Sequence, residues 1–287
     1  MAAGIAEVPR DKAMEEIARP EEMSELGSAG GLFTGERLHA GDPLFAADLA
    51  RHLVAYRHAQ TLAQAKRVLD AGCGDGYGTY LLAEVASEAV GVDREARAVA
   101  VARERYVRSN LRYVACNLEE LASWNDAYDV ICHFQVIEHL VDPLPFLHAA
   151  RKILAPGGVF IVTTPNRLLS RVENPYHVRE YTGPELQDLL RRVFPRVELF
   201  GVWGNEKVMA FENARAQQAN RILRLDPFGL RRYVPRGVVE WAYPRLARLV
   251  RRRVGGRNTG AITEADFSIR SETDGALDLL AHCRTDA

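Results

Sequence analysis

Gln135, Glu138 and His139 stand at i, i+3 and i+4. If the chain turns helical there, the three side chains share one face. An imidazole so placed can take a proton from a hydroxyl, and a carboxylate joined by imidazoles can hold a divalent cation. A second imidazole, His177 in NPYHVRE, and the amide Asn166 in TTPN follow further along. The plainer reading of Glu138 is a local contact within its own helix.

A different chemistry is written in VLDAGCGDGYG, residues 68–78. Glycines between a strand and a helix let the backbone turn tightly and let a ligand approach main-chain amides. The spacing is G-x-G-x-G, with Tyr77 where a dinucleotide fingerprint would need glycine at the next step. Asp70 also precedes the loop, and a carboxylate there opposes a pyrophosphate but suits a ligand carrying ammonium and sulfonium groups. A nicotinamide-dependent dehydrogenase is disfavoured on both counts. Asp93 follows Gly72 by 21 residues, where a carboxylate can accept both hydroxyls of an adenosine ribose.

These residues need elements to position them. The apolar spacing of residues 42–65 predicts a helix, and then strands and helices alternate. Strands are expected at 67–72, 89–93, 111–115, 128–133, 159–164 and 196–203, with helices at 77–86, 95–107, 144–154 and 183–193. Asp142-Pro143 and the capping-box sequence Thr182-Gly-Pro-Glu185 open the last two helices. Repeated β-α-β units of this length specify an α/β, doubly wound, mostly parallel sheet, whose ligands sit beyond the carboxyl ends of the strands.

Composition sets the outer bounds. The chain has 287 residues, 47% hydrophobic and 26% charged, with a net charge of −1, which suits a globular protein and excludes collagen-like or wholly disordered chains. Four scattered cysteines without C-x-x-C argue against a disulfide framework or zinc cluster and for a reducing cytoplasm. No apolar run has the length of a membrane span, and the acidic first residues do not read as a secretory signal. Residues 1–35 are expected to be a flexible segment and 36–287 one domain. A helical, arginine-rich insertion spans about 213–270, and a last strand about 276–284. Within the insertion, residues 231–257 hold nine arginines against one acid, Glu240.

Taken together, VLDAGCGDGYG, GVD (91–93), YDVI (128–131), VIEHL (136–140), LAPGG (154–158) and TTPN (163–166) resemble the class I S-adenosylmethionine-dependent methyltransferases over about residues 66–203. The resemblance implies a Rossmann-like, seven-stranded sheet with S-adenosylmethionine at the loop. It places Asp70, Gly72 and Gly74 at the methionine end, Asp93 at the ribose and Asn117-Leu118 at the adenine, where relatives usually carry aspartate in place of Asn117. The main-chain carbonyl of His133 would accept from the cofactor ammonium, and Tyr56 and Arg57 would cover the site. VIEHL also occurs in methyltransferases that bind no metal.

Two narrower resemblances diverge. LFTGER (32–37), RHLVAYRHA (51–59), NPYHVREYT (174–182), the insertion and ALDLLAHC (276–283) look like bacterial methyltransferases that modify sugars, polysaccharides and secondary metabolites. That implies O-methylation of a small-molecule hydroxyl, with His139 or His177 as base beside Glu138. Glu138, His139 and His177 also resemble the Mg²⁺- or Mn²⁺-dependent enzymes that methylate the terminal 2′-hydroxyl of small RNAs. Gln135 replaces the first glutamate of that pattern, which removes an anionic ligand. In the RNA reading the arginines track phosphates; otherwise they form a solvated helical cap or, with Trp241 and Tyr243, a membrane-surface contact or a subunit interface of a homodimer. A non-catalytic cofactor-binding scaffold is the remaining alternative.

Overall fold

The computed structural model describes residues 45–170, 174, 176–223 and 262–285. The expectations for residues 1–35, for LFTGER and for the arginine run 231–257 lie outside the described residues.

Helix α1 (Ala46–Ala63) leads into β1 (Arg67–Ala71), α2 (Tyr77–Leu82), β2 (Glu88–Asp93), α3 (Ala96–Arg105), β3 (Leu111–Ala115) and β4 (Tyr128–Phe134). Then come α4 (Leu144–Ile153), β5 (Leu154–Pro165), α5 (Gly183–Arg191), β6 (Arg196–Gly204), α6 (Glu206–Leu223), β7 (Phe267–Arg270) and β8 (Asp278–Arg284). The strands form one sheet in the order β3-β2-β1-β4-β5-β8-β6-β7. β1 to β5 are mutually parallel, whereas β8 runs antiparallel to both its neighbours, β5 and β6. The strand order reverses between β1 and β4, and the crevice beyond their carboxyl ends is where such sheets bind ligands.

The sheet has eight strands among the described residues, against an expected seven. β7 is the addition: FSIR pairs with the outer edge of β6, from Gly204↔Phe267 to Gly201↔Arg270. Four residues alternating with Ser268 and Arg270 carry too little apolar pattern to read as a strand; the free edge of β6 supplies the pairing. The stretch taken as an insertion therefore ends inside the sheet. It also begins inside α6, whose start is held by Asn205 Oδ1 accepting from the Val208 N–H at 3.1 Å.

Local signals explain the other boundaries. The Thr182–Glu185 capping box forms in both directions. Asp142 Oδ1 accepts from the Leu144 N–H at 3.1 Å and starts α4. Pro156-Gly157-Gly158 does not separate α4 from β5; it forms an irregularity inside β5, with Gly157 at φ +73° and a register shift against β4. Apolar side chains cover both faces of the central strands. Leu69, Val90, Ile131, Phe160 and Val162 lie on one face, and Val68, Val130, Cys132, Ile161 and Leu280 on the other. α1 packs across α2 and β4 on the second face, which brings an N-terminal helix to the ligand edge.

Candidate active site

After β1 the chain turns through Gly72 (φ +97°), Gly74 (φ +53°) and Gly76 (φ +88°), conformations that favour glycine. The first and second of these differ in use. A Cβ on Gly72 would lie 2.6 Å from Val136 Cγ2, whereas at Gly74 no heavy atom stands within 4 Å of that position. Gly72 is packed, and Gly74 faces open space that a ligand can enter. Beside it, Asp93 accepts from the Gly74 N–H at 3.0 Å through Oδ2 and from the Glu95 N–H at 2.8 Å through Oδ1. These two amides orient the aspartate at the edge of the loop.

Asp70 is buried. Its carboxylate accepts from Thr79 Oγ1 at 2.7 Å and from the Tyr56 hydroxyl at 3.2 Å, tying α1 and α2 to β1. Burial pushes its pKa up to about 7, against those two hydrogen bonds and with the Asp93 charge adding to the rise. A cation near this carboxyl would relieve that cost and a phosphate would add to it. The rings of Tyr56, Tyr77, Phe134 and His52 cluster above it, with Tyr56 and Phe134 centroids 4.9 Å apart. Open backbone at Gly74, a paired acceptor at Asp93 and an aromatic group over an acid fit a sulfonium nucleoside. When bound, S-adenosylmethionine supplies an electrophilic methyl group.

The remaining cofactor-side residues divide. The Cys116 N–H donates to the Asp93 carbonyl at 3.0 Å, so the turn that begins at Asn117 stands next to Asp93. Asn117 is exposed and its amide donates to Glu120 Oε1 at 2.9 Å, while Leu118 is half-buried against the core. His133 has its side chain in the core: Nδ1–H donates to the Ala71 carbonyl at 2.7 Å and the ring lies 4.3 Å from that of Phe146. Burial holds it neutral, with a pKa of about 4. Arg57 is directed elsewhere, to Gln60, Glu84 and Glu264.

On the acceptor side, one expectation needs correction. The chain after β4 does not become an α-helix; Ile137–His139 is a single 3-10 turn. Gln135 precedes it at φ +56°, with its N–H donating to the Thr163 carbonyl at 3.0 Å. The left-handed residue redirects the chain before any helical face exists, so Gln135 does not align with Glu138 and His139. It lies instead toward Asp278 of β8.

Glu138 and His139 do meet His177. The Glu138 carbonyl accepts from the N–H groups of Val178 (2.8 Å) and Arg179 (3.1 Å), which folds the later segment against the turn. One ligand atom from each of Glu138, His139 and His177 lies within 4.8 Å of the others. Glu138 is 1% exposed, and its Oε2 accepts from Thr164 Oγ1 at 2.9 Å. Burial pushes its pKa up to about 7. His139 Nδ1–H donates to the Tyr176 carbonyl at 3.1 Å, leaving Nε2 as the ring's acceptor, and burial lowers its pKa to about 4. His177 Nδ1–H donates to Glu180 Oε1 at 2.6 Å, and its Nε2 accepts from the Asn174 amide at 2.9 Å. Burial works upward on Glu180, yet hydrogen bonds from His177 and Ser170 hold it below its ordinary value.

One carboxylate and two imidazoles suit Mn²⁺ better than Mg²⁺, which prefers oxygen ligands. A cation on His177 Nε2 would take the place of Asn174. Asn166 is not part of this group: its amide donates to the carbonyls of Thr273 (3.1 Å) and Ala276 (2.9 Å) and anchors the approach to β8.

Sequence reasoning missed Glu180, Thr164, Thr79, Arg51 and Asp278. For Asp278 a signal existed, since it is the one acid in the apolar run ALDLLAHC. The others carry no such signal, and only the fold selects them.

Comparison with known proteins follows the same outline. Residues 62–219, more than half of the chain, match the family described as "Methyltransferase domain". A protein of Mycobacterium tuberculosis named "Probable S-adenosylmethionine-dependent methyltransferase" is 36% identical over 195 residues, covering 66% of this chain and 69% of that protein. A Mycolicibacterium smegmatis protein of the same description is 41% identical over 153 residues, 52% of this chain; the match spans only 59% of that relative's length. A ubiquinone biosynthesis O-methyltransferase of Cereibacter sphaeroides is 38% identical over 106 residues, 36% of this chain and 43% of its own. Among solved structures, a methyltransferase from Thermotoga maritima superposes with a TM-score of 0.54 at 15% identity, covering 84% of this chain and 92% of its own. The [4+2]-cyclase SpnF superposes with a TM-score of 0.52 at 19% identity, covering 96% of this chain and 95% of its own. At such identities the likeness is one of fold alone, and a cyclase among these neighbours illustrates that fold does not settle the reaction. With the matched domain and the mycobacterial relative, the chain belongs to the S-adenosylmethionine-dependent methyltransferases.

Proposed function

We propose that this enzyme is an O-methyltransferase acting on a hydroxyl of a small molecule, a sugar or a glycosylated secondary metabolite. The observation that carries the reading is the gathering of Glu138, His139 and His177 at the carboxyl edge of the sheet. A thiol or activated carbon needs little more than positioning to accept a methyl group, whereas an alcohol needs a base or a metal that lowers its pKa. Two imidazoles and a buried carboxyl supply that requirement.

The chain's residues divide the work. Asp93 and the open backbone at Gly74 hold and orient the nucleoside, and Tyr56 with its aromatic neighbours excludes water from the reacting end. His139, neutral at physiological pH and with Nε2 as acceptor, takes the hydroxyl proton; His177, backed by Glu180, can do so where the acceptor displaces the Asn174 amide from its Nε2. The acceptor oxygen forms the new bond to the methyl carbon, and the electron pair of the broken carbon–sulfur bond stays on sulfur. The ubiquinone-pathway relative is an O-methyltransferase by name, which agrees with a hydroxyl acceptor over the shared segment.

The test is transfer of a labelled methyl group to a panel of glycosides, phenols, thiols and short RNA. Label on the glycosides is expected, and label confined to thiols would end the hydroxyl assignment. His139→Ala and His177→Ala are each expected to cut turnover by 100-fold or more on the order of general-base effects, with affinity for the methyl donor within about threefold. Normal turnover in either variant removes that residue's role.

The donor set favours a second reading, a metal-assisted hydroxyl transfer as in RNA 2′-O-methylation. Exhaustive chelation followed by Mn²⁺ titration distinguishes the two: loss and recovery of activity supports the metal, and unchanged activity discards it. The arginines that would contact RNA lie outside the described residues, as does the segment that would form a subunit interface. Among the described residues no helix is long and apolar enough to cross a membrane.

A further inference from the structure

Asp278 opens β8, and because β8 runs against β5 its first residue lies beside Pro165, the last residue of β5. An antiparallel strand thus delivers its start to the ligand edge, where the parallel strands deliver their ends. Thr164, the neighbour of Pro165, is the residue that holds Glu138. Asp278 and Glu138 therefore flank the end of β5, close enough that the charge of one acts on the other.

Asp278 is 3% exposed. Arg51 Nε of α1 lies 3.2 Å from Oδ2. Oδ1 is buried and makes no hydrogen bond among the described residues. A buried acceptor left without a donor is costly, and such atoms in native proteins are usually satisfied by protein groups, ordered water or a bound molecule. Burial and the charges of Glu212 and Asp48 push the Asp278 carboxyl upward, while Arg51 and Gln135 oppose them. Arg51 already takes Oδ2, and on the hydroxyl-acceptor reading the group that meets the remaining oxygen is a second hydroxyl of the same molecule. Gln135, turned to this side by its left-handed backbone, adds an amide to the same place.

The geometry points to Asp278 as a specificity residue that accepts a hydrogen bond from a second hydroxyl of the acceptor, while the hydroxyl to be methylated meets the Glu138–His139–His177 group. The substrate class is then a polyhydroxylated ring and not a simple phenol. This rests on the hydroxyl-acceptor reading above and adds to it a requirement for a second hydroxyl.

The test uses the full chain saturated with S-adenosylhomocysteine. Calorimetry measures binding of methyl α-D-glucopyranoside and methyl α-L-rhamnopyranoside, each beside its monodeoxy analogues, with phenol as the single-hydroxyl control. For one of the glycosides, removal of one hydroxyl is expected to weaken binding at least tenfold in the wild type. In Asp278→Ala, which removes both oxygens, that preference is expected to fall below threefold, with S-adenosylhomocysteine affinity within twofold. A preference that survives in Asp278→Ala overturns the assignment. So does a wild type that binds phenol and neither glycoside, and that result leaves the hydroxyl-acceptor reading standing. Methyl transfer only to a thiol or amine would instead remove the reading underneath. Should Asp278→Ala not fold, Asp278→Glu keeps a charge for Arg51 but displaces the oxygen, and an unchanged deoxy preference in it is equally decisive against the proposal.

Discussion

Asp93, which we propose holds the ribose, shows how backbone geometry can orient one side chain. Two main-chain amides fix the carboxylate in one orientation, so it is aimed before any ligand arrives. Preorganised, charge-assisted hydrogen bonds are the strong ones. Asp93→Ala is therefore expected to weaken binding of the methyl donor by about 1–3 kcal/mol, read by calorimetry. Unchanged affinity would mean that the ribose lies elsewhere. Asp70 has a different character: buried and bonded to Tyr56 and Thr79, it ties α1 and α2 to the sheet, and its carboxyl, raised by burial, favours a neighbouring cation.

At the scale of elements, α1 matters most, because it carries Arg51, His52 and Tyr56 to the ligand edge. Its approach to α2 depends on a missing side chain. A Cβ on Gly78 would stand 1.9 Å from Tyr56 Cζ, so any residue but glycine must displace the tyrosine and its bond to Asp70. Gly78→Ala is expected to destabilise the fold by about 1–3 kcal/mol in urea unfolding, as overpacking does, and to weaken donor binding as well. The capping box of α5 is a separate device, remote from the loop. Thr182→Ala is expected to cost about 1 kcal/mol of stability while donor affinity stays unchanged; a loss of affinity would show that α5 reaches further into the site than its position suggests.

For the molecule as a whole, the N-terminal helix and the last strand are joined by His58 and His282, whose Nε2 atoms lie 2.9 Å apart with the rings stacked. Burial lowers both, His282 to about 4. The unfolded chain takes up the His282 proton near its ordinary value of 6.5, whereas the folded chain resists until about pH 4. The stability this group contributes is thus present above pH 6.5 and lost as pH falls toward 4. The stability gap between wild type and His282→Gln is expected to narrow from pH 7 to pH 5 in urea unfolding, and parallel profiles would contradict it. What the sequence by itself determined is the work of local chemistry. Alternating apolar runs specify strands and helices, glycines at Gly72, Gly74 and Gly76 mark a tight turn, Thr182 and Glu185 cap a helix, and acids close β1 and β2. Those signals lie within a few residues of one another, so spacing alone carries them. The joining of Glu138 and His139 to His177 was legible only as a shared edge; the distance came from hydrogen bonds between segments about forty residues apart in the chain. Three things were decided by tertiary structure alone: the 3-10 turn that sends Gln135 away from Glu138, the added edge strand β7, and the arrival of Asp278 beside β5. Each depends on which backbone happens to lie alongside, and pairing between distant strands leaves no periodicity in either one.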